Sequence, residues 1–224
     1  MPDRSVQFHI LSGVPYDEGV RLQKSHAAAM ADNPDAPGTI FLIEHEPVIT
    51  CGRSGDGTNL LVSPDELAKH GIAYREAGRG GDVTYHGPGQ WTVYPVLRLA
   101  WFNRDLHRYL RLLEECVIVF LAGYGIQAGR RPGLTGTWVE NNKLAAVGVA
   151  VTRWITWHGF AANIMPDLDN FTRFMHPCGI GASQGGVTSL ERVLGKPCGM
   201  KDAAMRLRAA LLQTLDLTDI SKTE

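Results

Sequence analysis

The chain has 224 residues, a formal net charge of -1, 44% hydrophobic and 20% charged residues. That composition is globular with ample material for a core, as one large α/β domain or two small ones, and it argues against nucleic-acid binding driven by overall charge. No apolar run approaches the ~18 residues of a membrane span, Met1–Ile10 has no signal pattern, and four cysteines show neither CxxC pairing nor metal or disulfide spacing, so a reducing cytoplasm is the expected location.

In chain order, Phe8–Leu11 reads as a short strand, Tyr16 to about Met30 as a helix, and Asn33–Gly38 as a loop. Thr39–Glu44 is a buried strand by its Ile and Phe content. His45-Glu46-Pro47 breaks it, Val48–Cys51 resumes it, and Gly52–Gly57 is a flexible loop. Ser63-Pro64-Asp65-Glu66 opens a short helix, with Ser63 as cap, Pro64 at the first helical position and Glu66 closing a capping box; Gly71 ends it.

Strand-like Ile72–Ala77 and Trp91–Leu97 flank Arg79-Gly-Gly-Asp-Val-Thr-Tyr-His-Gly-Pro-Gly-Gln90. Glycine lets a ligand approach the backbone closely, and Pro88 stiffens the turn. The plain alternative is a long hairpin connection, but Arg79, Tyr85 and His86 are costly to hold beside glycines unless they position something. Pro95 suggests that its strand lies at an edge or carries a bulge.

Asn103 or Asp105 caps a long helix whose stripe runs Leu106, Leu110, Leu113, Val117, Phe120 and Tyr124, with Cys116 as a structural thiol beside it. Gln127–Pro132 is a basic loop. Thr137–Glu140, the turn Asn141-Asn142 and Lys143–Val151 form a hairpin. Thr152–His158 and Phe160–Ile164 extend the sheet, and Met165–Pro177 is irregular. Thr188 with Glu191 repeats the capping-box spacing before a helix ending at Gly195, and Met200–Leu215 is a last amphipathic helix. No repeat or composition break divides residues 1–224, so a single α+β domain, a mixed or antiparallel sheet flanked by helices, fits better than a doubly wound one.

Two residues draw attention for chemistry. Cys178 sits in a glycine-flanked loop, His176-Pro-Cys-Gly-Ile-Gly181, where its sulfur is accessible; it is either an idle loop thiol or a nucleophile awaiting a cation that favours its thiolate. Lys143 is the one charge in nine residues of strand; it is either the last exposed residue of the turn or a partly buried ammonium, and by alternation it shares a face with Ala145, Val147 and Val149. Histidines 86, 158 and 176 lack metal-ligand spacing, and the glycine stretch lacks a phosphate-loop ending, so no metal or cofactor is expected. Cys51 and Cys198 are structural.

Arg79–Gln90, Lys143-Leu-Ala-Ala-Val-Gly148, His158-Gly-Phe-Ala-Ala-Asn163 and Pro177-Cys-Gly179 resemble, in order and spacing, the lipoate-protein octanoyltransferase family, with Glu44–Pro47 and Val187–Leu190 adding to the likeness. The resemblance implies the fold of lipoate and biotin ligase catalytic domains, with a smaller second sheet. It implies transfer of octanoyl from acyl carrier protein to the target lysine of lipoyl domains, those of 2-oxoacid dehydrogenase complexes and of the glycine cleavage H protein. It matches Cys178 to the acyl-accepting cysteine and Lys143 to the lysine that tunes it. It matches Arg79, Gly80, Gly81, Asp82, Val83, Thr84, Tyr85 and His86, with Ala146, Val147, Gly148, Gly159, Phe160 and Ala161, to the acyl-binding segments.

An eight-carbon chain needs a narrow apolar tunnel, for which Val83, Tyr85, Val147 and Phe160 are candidate walls. The Gly80-Gly81 turn is a candidate oxyanion donor, and Arg53, Arg130 or Arg131 a candidate contact for an acidic carrier. The rival readings are an ATP-dependent ligase on the same fold, a cysteine thioesterase and a carrier-binding module.

Overall fold

Two sheets divide the computed structural model, which describes residues 4–176 and 185–221. The larger has nine strands: β1 (Ser5–Val14), β2 (Gly38–His45), β6 (Gln90–Val96), β7 (Gly129–Arg131), β8 (Leu134–Val139), β9 (Asn142–Thr152), β10 (Ile155–Asn163), β11 (Gly186–Val187) and β12 (Thr218–Asp219). Their order is β12-β1-β2-β6-β10-β9-β8-β7, with β11 also paired to β9. The β12-β1-β2 and β11-β9 pairs are parallel and the others antiparallel. The smaller sheet is β4-β3-β5, from β3 (Val48–Cys51), β4 (Ala73–Glu76) and β5 (Val83–His86).

Helices α3 (Leu106–Ala122) and α6 (Met200–Leu215) pack their apolar stripes on one face of the large sheet, where Leu42, Val93, Phe120 and Leu211 belong to a single core. Burial there, about 25 cal/mol per Å² of apolar surface, is the main term holding the layers together. Helix α1 (Tyr16–Asp32) covers the other face against Phe41, Ile43 and Tyr94. The small sheet encloses its own core with α2 (Pro64–Lys69) and α4 (Asp169–Arg173), built on Ile49, Leu67, Tyr85 and Phe171. Helix α5 (Leu190–Leu194) follows β11. No helix among the described residues is long and apolar enough to cross a membrane.

Val48–Cys51 does not resume the preceding strand; it leaves for the second sheet, because Pro47 ends the β2 ladder. Pro95 lies on a central strand rather than an edge. The proline is tolerated because the β6–β10 ladder stops at Val93–Phe160, and the Pro95 carbonyl accepts from the Thr156 hydroxyl at 2.8 Å instead of a strand amide. Gln127–Pro132 is not all loop, since Gly129–Arg131 pairs with β8.

The β8–β9 turn is Glu140-Asn141, one residue earlier than the asparagine pair suggests, with Glu140 itself at φ 52°. Strands β9 and β10 form one hairpin around Arg153-Trp154, both at positive φ. Ser63 caps α2 as expected, but the Glu66 carboxylate turns to Lys69 and His70 instead of closing the box. Ser189, not Thr188, caps α5. Asp105 caps α3.

Candidate active site

The site lies where the small sheet leans on the β9–β10 hairpin. Opposite one another on those strands stand Ala146 and Ala161, Val147 and Phe160, Gly148 and Gly159. Small side chains there leave a hollow, roofed by Arg79, Gly80 and Gly81 and flanked by Thr84 and His86 of β5. Tyr16, Tyr94 and His158 close it away from Lys143. A second, smaller hollow shares Thr84, Ala146 and Ala161 with the first and is lined by Lys143. Sharing those residues, the two adjoin along the hairpin and make up the cleft.

The roof is fixed by its backbone. Gly80 N–H donates to the Val149 carbonyl at 3.1 Å, and Arg53 N–H donates to the Arg79 carbonyl at 3.0 Å. The first of these bonds occupies Gly80, which is therefore no oxyanion donor. A Cβ on Gly148 would stand 2.8 Å from the Gly80 oxygen, so the approach of roof to floor requires glycine at 148.

Arg79 is buried, and its guanidinium donates to the Thr50 carbonyl and hydroxyl at 2.8 and 2.7 Å and to the Gly80 carbonyl at 3.1 Å. The arginine thus clamps the roof to β3 and brings positive charge to the cleft wall.

Of the residues that the resemblance matches to acyl-binding segments, Val147 and Phe160 line the cleft, while Val83 and Tyr85 do not. Strand alternation turns these two into the small-sheet core, and the cleft receives Thr84 and His86. Asp82 stands beside the roof, held by the Asn59 amide at 2.5 Å.

Lys143 is no exposed turn residue; it is 7% exposed. It does not share the face of Ala145 either. Thr137 pairs with Ala145 and Trp138 with Lys143, so Leu144 is an extra residue that breaks the alternation. The bulge sends Lys143 to the cleft with Ala146 while Ala145 packs in the core.

Polar residues lining the Lys143 end of the cleft were not expected from spacing. The Gln90 amide donates to the Tyr85 carbonyl and to Asn163 Oδ1, at 3.1 and 2.9 Å, and its oxygen accepts from His86 Nδ1 at 2.7 Å. Asn163 donates to the Thr188 carbonyl, and Thr188 N–H donates to the Lys143 carbonyl, each at 3.0 Å. This chain ties β5, β6, β10 and β9 together around the cleft. Gln90 and Asn163 end two of the stretches that carry the family resemblance, which was the available signal. His45, outside the cleft lining, donates from Nδ1 to Val14 and accepts from the Tyr94 hydroxyl, both at 2.8 Å.

Burial keeps the imidazoles neutral: His45 is pushed down to about 4 and His158 to about 3, and His86 lies well below its ordinary value. The Arg79 charge adds to the shift at His86 and His158. His176 is exposed and stands apart from the lining. Among the described residues no group of three or more His, Cys, Asp or Glu side chains is arranged to hold a metal ion.

Cys178 lies outside the described residues. The other cysteines are packing residues: Cys51 and Cys116 are buried, the Cys116 thiol is pushed by burial up to about 12, and burial also raises the Cys198 thiol.

The family model "Lipoyl protein ligase A/B catalytic domain" matches residues 15–212. An octanoyltransferase of Geobacter metallireducens is 45% identical over 86% of this chain and 85% of its own. One of Clostridium kluyveri is 46% identical over 83% and 77%. The chain belongs to the octanoyltransferase family.

A bi-partite lipoate protein ligase of Thermoplasma acidophilum, solved in a study of that ligase and its E2 lipoyl domain, superposes with a TM-score of 0.69 at 16% identity, over 99% of this chain and 88% of that one. At that identity the likeness speaks for the fold, a mixed sheet with helices and a smaller second sheet, which the family shares. The cleft between the two sheets is built largely from the stretches by which the sequence resembles the family.

Proposed function

We propose that this chain is an octanoyltransferase of lipoate biosynthesis that takes octanoyl from acyl carrier protein as a thioester on Cys178 and passes it to a lysine of a lipoyl domain. The observation that carries the reading is the cleft itself. Two adjoining, largely apolar hollows lie along β9 and β10, and the second is lined by the buried Lys143. Each methylene of an acyl chain buried there contributes about 0.8 kcal/mol.

Attack of the Cys178 thiolate on the carrier thioester forms a new C–S bond, and the carrier thiolate leaves with a proton from the Lys143 ammonium. Neutral Lys143 then takes a proton from the incoming lysine as its nitrogen attacks the acyl-enzyme, and the Cys178 thiolate departs. One thioester replaces another in the first step, so no ATP is consumed. The lipoyl domains of 2-oxoacid dehydrogenases and the glycine cleavage H protein are the proposed acceptors, and the cytoplasm the proposed location.

Incubation with octanoyl carrier and an unmodified lipoyl domain, without ATP, tests this reading. Octanoyl should appear on the acceptor lysine. Release of free octanoate alone would favour a thioesterase, and a requirement for free octanoate with ATP would favour a ligase.

Of the three candidate arginines, Arg53 is the proposed carrier contact. Arg130 is engaged by Glu114 and Glu115, and Arg131 stacks on Trp138. Arg53 is exposed beside the roof, with its amide on Arg79. Arg53→Glu should raise KM for carrier-bound octanoate several-fold, an effect shrinking as salt is added, with kcat little changed. An unaltered KM at low salt rejects Arg53 as a contact.

A further inference from the structure

Lys143 does not stand alone. Its Nζ lies 5.0 Å from the ring centre of Trp138, the residue paired with it across the hairpin, and that indole is only 2% exposed. A Cβ on Gly136 would come within 3.2 Å of the lysine's Cε, so the bare glycine gives the stem its channel. Gly136 itself sits at φ 127° and donates its N–H to the buried Glu114 carboxylate at 2.9 Å. The same indole carries the Arg131 guanidinium, 4.8 Å from its centre.

We propose that Trp138 is a positioning residue for the octanoyl transfer: its ring face holds Lys143 in the ammonium form at the cleft, with the Leu144 bulge and Gly136 fixing the reach. The inference rests on the reading of Lys143 as the proton-carrying group. An indole face attracts a cation and not a neutral amine, and more strongly where water is excluded. Trp138 therefore opposes the cost of desolvating the charge, a task that carboxylates perform at most buried lysines.

The charged neighbours are few. Arg131 on β7 shares the ring, and Glu114 on α3 is already held by Arg111, Arg130 and Gly136 N–H. Among the described residues, the cleft lining around Lys143 has no other titratable group; behind it, His86 is bonded to Gln90.

The test is the pH dependence of kcat/KM for octanoyl transfer in wild type, Trp138→Phe and Trp138→Met. Loss of the ring should narrow the bell in Trp138→Met, its basic limb falling by about 0.5 to 1.5 pH units, and Trp138→Phe should move less. A merely structural role would lower the plateau and leave both limbs in place, and that result overturns the proposal. Should Trp138→Met fail to fold, the wild-type chain grown with mono- and polyfluorinated tryptophan answers the same question: graded movement of the basic limb supports the proposal, and a fixed limb overturns it. Lys143→Met separates the two layers. Wild-type kcat/KM in that variant would reject the lysine reading, whereas an inactive Lys143→Met beside an unmoved Trp138→Met profile would reject only the positioning role.

Discussion

Lys143→Met should lower kcat/KM for octanoyl transfer by about 10²- to 10⁴-fold, the range of a positioned acid–base group, with little change in Tm. Methionine keeps an unbranched stem in the channel beside Gly136 and a polarisable end on the Trp138 ring, so packing survives while the proton carrier is lost. Lys143→Arg divides the role further. A guanidinium keeps the charge that favours a thiolate but does not give up its proton. A carrier thiolate can leave unprotonated, whereas the incoming lysine must lose a proton, so acylation should outlast deacylation, and the acyl-enzyme should accumulate in Lys143→Arg but not in Lys143→Met. Equal activity of all three proteins would remove Lys143 from the mechanism.

The second large effect is on stability in acid. His45 and His158 are held at about 4 and about 3 by burial, and His86 is also lowered, whereas in the unfolded chain they titrate near 6.5. The unfolded state thus takes up protons first, so the stabilisation is full above about pH 6.5 and is lost as pH falls below it towards the folded-state values. Between pH 7 and 5 His45 and His158 should each cost roughly 2 kcal/mol, a large share of a typical margin of about 5–15 kcal/mol. Tm should fall by roughly 10 °C or more over that interval. His45→Gln and His158→Gln should each flatten the fall by a third to a half, read as Tm against pH. A wild-type Tm that is level from pH 7 to 5 would contradict the neutral cluster.

Much of this was legible in the residues. The Ser63 cap, the middle of the α3 stripe (Leu113, Val117 and Phe120, though not the exposed Leu106) and the bounds of α6 follow from local chemistry, and the stretches at 79–86, 146–148 and 159–161 supply most of the cleft lining. What was not legible depends on register or on neighbours distant in sequence. All four residues of β5 are buried, so hydrophobicity does not say which face meets the cleft, and Val83 and Tyr85 are the natural but mistaken choice. The extra residue Leu144 is visible only against β8, yet it decides where Lys143 points. Gln90, Asn163 and Trp138 act through partners on other strands, which no local pattern announces.

The account stands on a covalent acyl-enzyme at Cys178. Intact-mass measurement after mixing the protein with octanoyl carrier, followed by peptide mapping, reads it directly. The predicted result is one octanoyl group on Cys178, absent from Cys178→Ala and discharged when a lipoyl domain is added. Transfer to the lipoyl domain at the wild-type rate by Cys178→Ala, with no adduct on either protein, would contradict it.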